Sequence, residues 1–191
     1  MLKSTTCVGI VLATALALGP RAAAAGTIEG VRFADTYVAH GQPLKLNCAA
    51  LLRYMVLIKA YVAGLYVADG TTPATVLSDV PKRLEIEYFH AIKAADFARA
   101  TEFGIGQNLD AAAVKALRPR IDRLNAMYAD VKPGDRYALT YVPGVGTELS
   151  LNGQSRGVID GTDFAAAVFG IWLGPNPIDT ALKQDLLECR A

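Results

Sequence analysis

The sequence predicts an α+β fold, in which a long antiparallel sheet carries helices on one of its faces. Segments rich in β-branched and aromatic residues occur toward both ends of the chain, and helical periodicity occupies the middle. The second group of strand segments contains Asn152-Gly153, a pair that is typical of tight antiparallel hairpins. The 191 residues contain no internal repeat and no linker, so we expect one folded domain.

The first 25 residues have the pattern of a cleavable secretory signal. A basic start at Lys3 precedes an apolar stretch from Val8 to Leu18, then Pro20 and the small residues Ala23 to Ala25. This stretch is shorter than the ~20 residues that cross a bilayer. We therefore expect residues 1–25 to form a signal peptide, and residues 26–191 to form one soluble periplasmic domain without a transmembrane segment.

Charge and composition exclude several function classes. The whole chain has 19 basic and 18 acidic residues. Two of the basic residues, Lys3 and Arg21, belong to the predicted signal, so the predicted domain has one basic residue fewer than it has acidic residues. A nucleic-acid-binding protein would show a basic excess. The two histidines, His40 and His90, lack metal-ligand spacing and are interpreted as ordinary loop or strand-end residues. We expect no metal and no other cofactor.

The N-terminal half is predicted to be mostly strand. Residues 28–67 are strand-like, with a turn at Gly41 to Pro43. Gly64 interrupts this run and indicates a bulge or a close approach of another group. Apolar Leu84, Ile86 and Tyr88 then alternate with polar residues, which predicts a strand with one apolar face.

The middle of the chain is predicted to be helical. One helix is expected from Ala94 to Phe103, and Asp110 is the expected N-cap of the next. An apolar stripe at helical spacing follows, made of Val114, Leu117, Ile121, Leu124 and Tyr128. Pro119 interrupts this stripe, and a proline removes a helical hydrogen bond. We therefore expect two short helices that meet near Arg118.

Strands and then helices complete the chain. Strands are expected at 137–142, 147–151 and 154–158, the last two joined by Asn152-Gly153. Helices are expected from Asp160 to Leu173 and from Asp179 to Cys189. Cys48 and Cys189 lie near opposite ends of the predicted domain. In an oxidising compartment they can form a disulfide, or they can be two separately buried thiols.

Arg53 and two tyrosines are the candidate ligand-binding residues. Arg53 stands in an otherwise apolar strand, where its guanidinium must reach solvent or meet an anion. Its planar fork suits a carboxylate. Tyr61 and Tyr66 follow on the next strand-like run, and their hydroxyls are placed to reach the same anion. The alternative interpretation is an edge-strand arginine with tyrosines at the rim of the core.

Six segments occur in an order that is informative as a set. They are Gly30 to Phe33, Leu44 to Asn47 ahead of Arg53, Ile58 to Tyr66, Pro119 to Leu124, Val142 to Thr147, and Ile171 to Pro177. This ordered set resembles the chalcone isomerase-like family and is similar to its exported bacterial branch. The resemblance covers residues 26–191.

The resemblance implies an open-faced β-sandwich with a ligand cleft between a long antiparallel sheet and a layer of helices. Family members are either isomerases that cyclise chalcones or non-catalytic fatty-acid-binding proteins. In both groups the arginine that matches Arg53 faces the cleft. Tyr61 matches the tyrosine that holds the carboxylate in the binders and a catalytic threonine in the enzymes.

Departures from the family pattern bear on activity. Phe97 stands where the isomerases have an active-site tyrosine, Gly104 near their substrate-binding asparagine and Ile171 near a substrate-binding threonine. A phenylalanine cannot donate a hydrogen bond to a developing oxyanion. The retained arginine and the lost polar partners favour carboxylate binding over isomerisation.

The first hypothesis is a periplasmic, non-catalytic binder of a fatty acid or a similar amphipathic carboxylate. Arg53 would pair with the head group, and Tyr61 and Tyr66 would donate hydrogen bonds to it. The tail would lie among apolar helical residues, namely Phe97, Ile121, Phe164, Val168 and Ile171. Two alternatives are an intramolecular lyase that uses Arg53 as its electrophilic group, and a periplasmic interaction protein without a small ligand.

Overall fold

The structure is a computed structural model that describes residues 26–55 and 57–189. The predicted signal peptide, residues 1–25, lies outside the described residues. None of the helices in the described part of the chain is both long and apolar enough to span a bilayer.

The architecture is a curled antiparallel sheet whose strands follow one another in chain order. A small hairpin, β1 (Thr27–Ile28) and β2 (Val31–Arg32), precedes the sheet. The seven sheet strands each pair with the next one along the chain. They are β3 (Thr36–Ala39), β4 (Gln42–Tyr54), β5 (Ile58–Val67), β6 (Lys82–Tyr88), β7 (Arg136–Val142), β8 (Gly146–Leu151) and β9 (Gln154–Ile159). The α+β prediction is confirmed.

Two pairs of helices complete the fold. The first pair, α1 (Ala94–Asn108) and α2 (Ala111–Met127), lies between β6 and β7, and the second, α3 (Thr162–Leu173) and α4 (Thr180–Glu188), follows β9. Asp110 caps α2 as predicted, because its carboxylate accepts a hydrogen bond from the Ala113 amide over 2.8 Å. Asp179 caps α4 in the same way through the Leu182 amide, over 2.7 Å.

The predicted break at Pro119 is wrong, because α2 runs continuously through it. Pro119 and Lys115, four residues earlier, are both exposed, so water can solvate the carbonyl that the proline leaves without a partner. On the opposite side of α2, Leu117, Ile121 and Leu124 are buried in the core. Both halves of the helix are therefore anchored by the same apolar stripe.

The sheet has an apolar cluster on each face. Residues of β5 alternate between the two: Ala63 and Leu65 pack with the helices, whereas Val62 and Tyr66 pack with Phe33. The predicted close approach at Gly64 is confirmed, since a Cβ atom there would lie 2.7 Å from the Phe33 ring. The main core, and the cavity described below, lie on the helical face.

A disulfide joins the end of α4 to β4. Cys48 and Cys189 are bonded, with their Cα atoms 5.3 Å apart. Beside them, the Asn47 side chain donates a hydrogen bond to the Leu186 carbonyl over 2.7 Å. The C-terminal helix is therefore held to the sheet by a covalent and a polar contact as well as by the buried residues Leu182 and Leu186.

Candidate functional site

A cavity of about 280 Å³ lies between the helical face of the sheet and the helices α1 and α3. Its walls are mostly apolar and aromatic. The sheet wall is formed by Tyr61, Leu84, Ile86, Tyr88, Tyr137, Leu139 and Leu149, and the helical wall by Phe97, Ala100, Thr101, Tyr128, Ile171 and Trp172. Exposed Ala100 and half-exposed Ile178 mark the opening to solvent.

Phe97 is the centre of an aromatic cluster in the cavity wall. Its ring centroid lies 5.2 Å from that of Tyr88 and 5.2 Å from that of Tyr137, in edge-to-face geometry. Its ring also stacks on Tyr128, with centroids 5.4 Å apart. Such contacts stabilise beyond the area they bury. Phe97 therefore gives the cavity a rigid apolar wall.

Three of the four cavity tyrosines have partners for their hydroxyls. Trp172 donates its indole N–H to the Tyr61 hydroxyl over 2.9 Å. The hydroxyls of Tyr128 and Thr101 are 2.8 Å apart. The Tyr137 hydroxyl accepts a hydrogen bond from the Ala129 amide and donates one to the Ala129 carbonyl. These bonds fix the positions of three rings in the wall.

The fourth hydroxyl, that of Tyr88, has no hydrogen-bond partner among the described residues. Burial raises the pKa of Tyr88 well above its ordinary value. Burial also raises the pKa of Tyr61 and brings the pKa of Tyr128 to about 12. These phenols remain protonated and uncharged at neutral pH.

Charge is scarce in the cavity wall. Of the lining residues, only Asp96 is an acidic or basic side chain, and it sits at the opening in an ion pair with Arg99. Over the described part of the chain, the residues that line this cavity include no lysine, arginine or histidine. The lining is therefore suited to the apolar part of a ligand.

Arg53 does not line this cavity, contrary to the expectation from the sequence. Its side chain is 46% exposed and its Nη2 atom lies 3.4 Å from Glu29 Oε1. The other oxygen of Glu29 lies 2.5 Å from Lys59 Nζ, a contact that lowers the pKa of that carboxyl. Arg53 instead borders an open surface groove together with Glu29 and Asp185. The Arg53 guanidinium is therefore already paired with a carboxylate of the protein.

The predicted partner Tyr66 lies on the other face of the sheet. It is 1% exposed and packs in the cluster around Phe33. Tyr61 and Tyr66 are five positions apart on β5, and an odd separation places two strand residues on opposite faces. Burial, reinforced by the nearby Glu85, raises the pKa of Tyr66 to about 12. The two phenols cannot reach one ligand.

Some of the remaining predicted site residues lie in the cavity wall, and the others lie in the core behind it. Tyr61, Phe97 and Ile171 all line the cavity. Buried core residues that do not line it are Ile121, Phe164 and Val168, which were expected around a ligand tail. Gly104 lies behind Ile171 rather than in the wall, and it allows close contact between α1 and α3.

Four cavity aromatics were not predicted as site residues: Tyr88, Tyr128, Tyr137 and Trp172. A usable signal was present for three of them. Tyr88 stands on the apolar face of its predicted strand, Tyr137 begins the next predicted strand, and Tyr128 ends the apolar stripe of α2. An inward-facing tyrosine has a polar atom that needs a buried partner. A tyrosine on the apolar face of a predicted strand or helix therefore indicates a candidate site residue, as an arginine in an apolar strand does.

Comparisons with known proteins agree with this architecture. Residues 25–188 match the family described as chalcone isomerase-like. The chain is similar to the crystal structure of the Arabidopsis thaliana fatty-acid binding protein AtFAP1, with a TM-score of 0.60 and 12% sequence identity. The similarity covers 80% of this chain and 95% of that one. No match was found among curated proteins.

Proposed function

The chain belongs to the chalcone isomerase-like family, and we propose that it is a periplasmic, non-catalytic binder of a fatty acid or a similar amphipathic molecule. The observation that carries the proposal is the apolar, aromatic cavity of about 280 Å³ between sheet and helices. The similar Arabidopsis protein is described as a fatty-acid binding protein. The periplasmic location rests on the signal-like pattern of residues 1–25.

The cavity suits the apolar part of such a ligand. Its volume is close to the lower end of the range of about 300–1,000 Å³ that is typical of ligand sites. Each methylene group moved from water into an apolar site contributes about 0.8 kcal/mol. A hydrocarbon segment enclosed by Leu84, Leu139, Leu149 and Ile171 would therefore gain most of its affinity from burial.

The position of Arg53 changes how the head group must be held. A carboxylate paired with Arg53 would sit in the surface groove beside Glu29, outside the cavity that receives the chain. Polar contacts to a ligand in the cavity must come from the phenols and from the opening near Asp96. The proposal therefore does not depend on Arg53.

The isomerase alternative has no observation in its favour. It relied on Arg53 as the electrophilic group, and Arg53 lies outside the cavity. Phe97 supplies only an apolar ring where those enzymes have a tyrosine. The alternative of an interaction protein whose cleft is filled by side chains is not favoured either, because a cavity is present.

The test is native mass spectrometry of the protein purified from the periplasm, with lipid extraction and analysis of any bound species. Ala100→Trp should abolish binding, because Ala100 is an exposed residue at the opening of the cavity and the indole would block it. Ala95→Trp is the matched control, since Ala95 is an exposed residue of the same helix that does not line the cavity.

A bound fatty acid or related lipid that is lost in Ala100→Trp and kept in Ala95→Trp would support the proposal. A wild-type protein that is empty and takes up neither an added fatty acid nor its methyl ester would contradict it. Recovery of the protein in the cytoplasmic fraction instead of the periplasmic fraction would contradict the proposed location alone.

A further inference from the structure

Tyr88 brings to the cavity wall a hydroxyl that can still donate a hydrogen bond. Tyr88 lines the cavity and is 5% exposed, and none of the described residues forms a hydrogen bond with its hydroxyl. The hydroxyl is not one of the fully buried polar atoms that lack a partner in the described part of the chain, so it is accessible from the cavity and can donate to a ligand there. A group supplied by a ligand in the cavity would satisfy it.

A second donor lies beside it. The Tyr61 hydroxyl accepts the Trp172 indole N–H, which leaves its own hydrogen available, because a phenol both donates and accepts. The rings of Tyr61 and Tyr88 are in edge-to-face contact, with centroids 5.7 Å apart. The sheet wall therefore offers two neighbouring hydroxyl donors to a hydrogen-bond acceptor.

The charges around these donors disfavour an anionic acceptor. Among the described residues that line the cavity there is no cation, and the one carboxylate is Asp96. Asp179 is also near enough to act electrostatically on Tyr61. A carboxylate taken from water into this wall would lose its hydration without gaining a counter-charge.

We propose that the cavity recognises its ligand through one neutral hydrogen-bond acceptor, such as the carbonyl oxygen of an ester or a ketone, which accepts from Tyr88 and Tyr61. This inference rests on the proposed function, because it names the class of ligand taken by the same cavity. It distinguishes the site from one built around a carboxylate and an arginine.

The experiment measures the affinity of the whole protein for three probes of similar length. Decane has no acceptor, methyl decanoate has a neutral carbonyl, and decanoate at pH ~8 is an anion. We expect methyl decanoate to bind at least about fivefold more tightly than decane, since a single hydrogen bond already provides that gain and two are proposed. We expect it to bind at least roughly tenfold more tightly than decanoate, because of the uncompensated charge.

Two variants test whether Tyr88 is responsible for the preference for the ester over decane. Tyr88→Phe keeps the ring and should lower the preference for the ester over decane about fivefold, because only the Tyr61 donor remains. Tyr37→Phe is the matched control: it also removes a phenol hydroxyl, but Tyr37 packs with the cluster on the other face of the sheet and does not line the cavity, so the preference should remain. Thermal melts of each variant report whether it is folded.

The outcomes separate the two proposals. If decanoate binds most tightly, or if Tyr88→Phe keeps the full preference for the ester, the inference is overturned while the lipid-binding function stands. If a folded wild-type protein binds none of the three probes, the proposed function fails and the inference fails with it.

Discussion

Trp172 donates its indole N–H to the Tyr61 hydroxyl over 2.9 Å, and this bond connects α3 to β5 along the wall of the cavity. From the sequence, this hydroxyl was predicted to donate a hydrogen bond to a ligand carboxylate that is paired with Arg53. In the structure its partner comes from the helical layer instead. The bond fixes the orientation of the Tyr61 ring in the cavity wall. Tyr61 therefore contributes to the cavity, whereas Arg53 lies outside it.

Arg53→Ala should leave ligand affinity within about twofold of the wild type, because Arg53 lies outside the cavity. Its ion pair with Glu29 is partly exposed, so the loss in stability should be small. Titration with methyl decanoate and a denaturant melt measure the two effects. A tenfold loss of affinity in a stable Arg53→Ala protein would show that the head group reaches this side of the sheet.

Two glycines of α1 should respond in opposite ways to alanine. A Cβ at Gly104 would lie 2.8 Å from an Ile171 methyl group, and β-branched Ile171 has little freedom to move, so Gly104→Ala should destabilise by about 1 kcal/mol. A Cβ at exposed Gly106 meets nothing within 4 Å, so Gly106→Ala should stabilise by about 0.5–1 kcal/mol. Denaturant unfolding measures both. Equal responses would contradict the close packing of α1 on α3.

The predicted and observed structures agree where one local pattern decides the outcome. Alternation in Leu84, Ile86 and Tyr88 and the turn at Asn152-Gly153 identified strands and a hairpin that the structure contains. The predicted helix break at Pro119 was wrong because it considered only the local effect of the proline. The apolar stripe of α2 packs in the core on both sides of Pro119 and keeps the helix continuous.

The candidate site was less predictable for a different reason. The faces of Tyr61 and Tyr66 follow from strand alternation alone, and this rule would have separated them. The position of Arg53 does not follow from local pattern, because its partner Glu29 comes from the β1–β2 turn and pairs only after that hairpin packs on β4. The cavity could not be predicted from local patterns, because it depends on how α1 and α3 pack on the sheet.

Stability should fall above pH 10 in part because of Tyr128. Its pKa is raised from 10.0 to about 12, chiefly by burial, so the phenol ionises earlier in the unfolded chain than in the folded protein. Its contribution is fully present below pH 10 and is lost as the pH rises through 12. The loss should be about 2 kcal/mol across this window.

Tyr128→Phe isolates this contribution. The difference in unfolding free energy between wild type and variant should be constant from pH 7 to 9 and should shrink toward pH 12. Urea melts at a series of pH values provide the measurement. A difference that stays constant across the whole range would mean that the Tyr128 phenol titrates normally in the folded protein.

Reduction of the Cys48–Cys189 disulfide should lower the free energy of unfolding by about 2–4 kcal/mol, because the bond restricts the unfolded chain over a separation of 141 residues. Denaturant melts with and without reductant measure the loss. The double variant Cys48→Ser with Cys189→Ser is the control and should not respond to reductant. A wild-type melt that reductant leaves unchanged would contradict the prediction.

The chain-order pairing of β3 to β9 has a consequence for how quickly the molecule can assemble. Most strand pairs are joined by short connections, so the sheet can grow through successive small loop closures, which is the topology of comparatively fast folding. The main exceptions are the β6–β7 pair, separated by two helices, and the contact of α4 with β4. The slowest searches along the chain are therefore expected at these contacts and at the packing of α1 on α3.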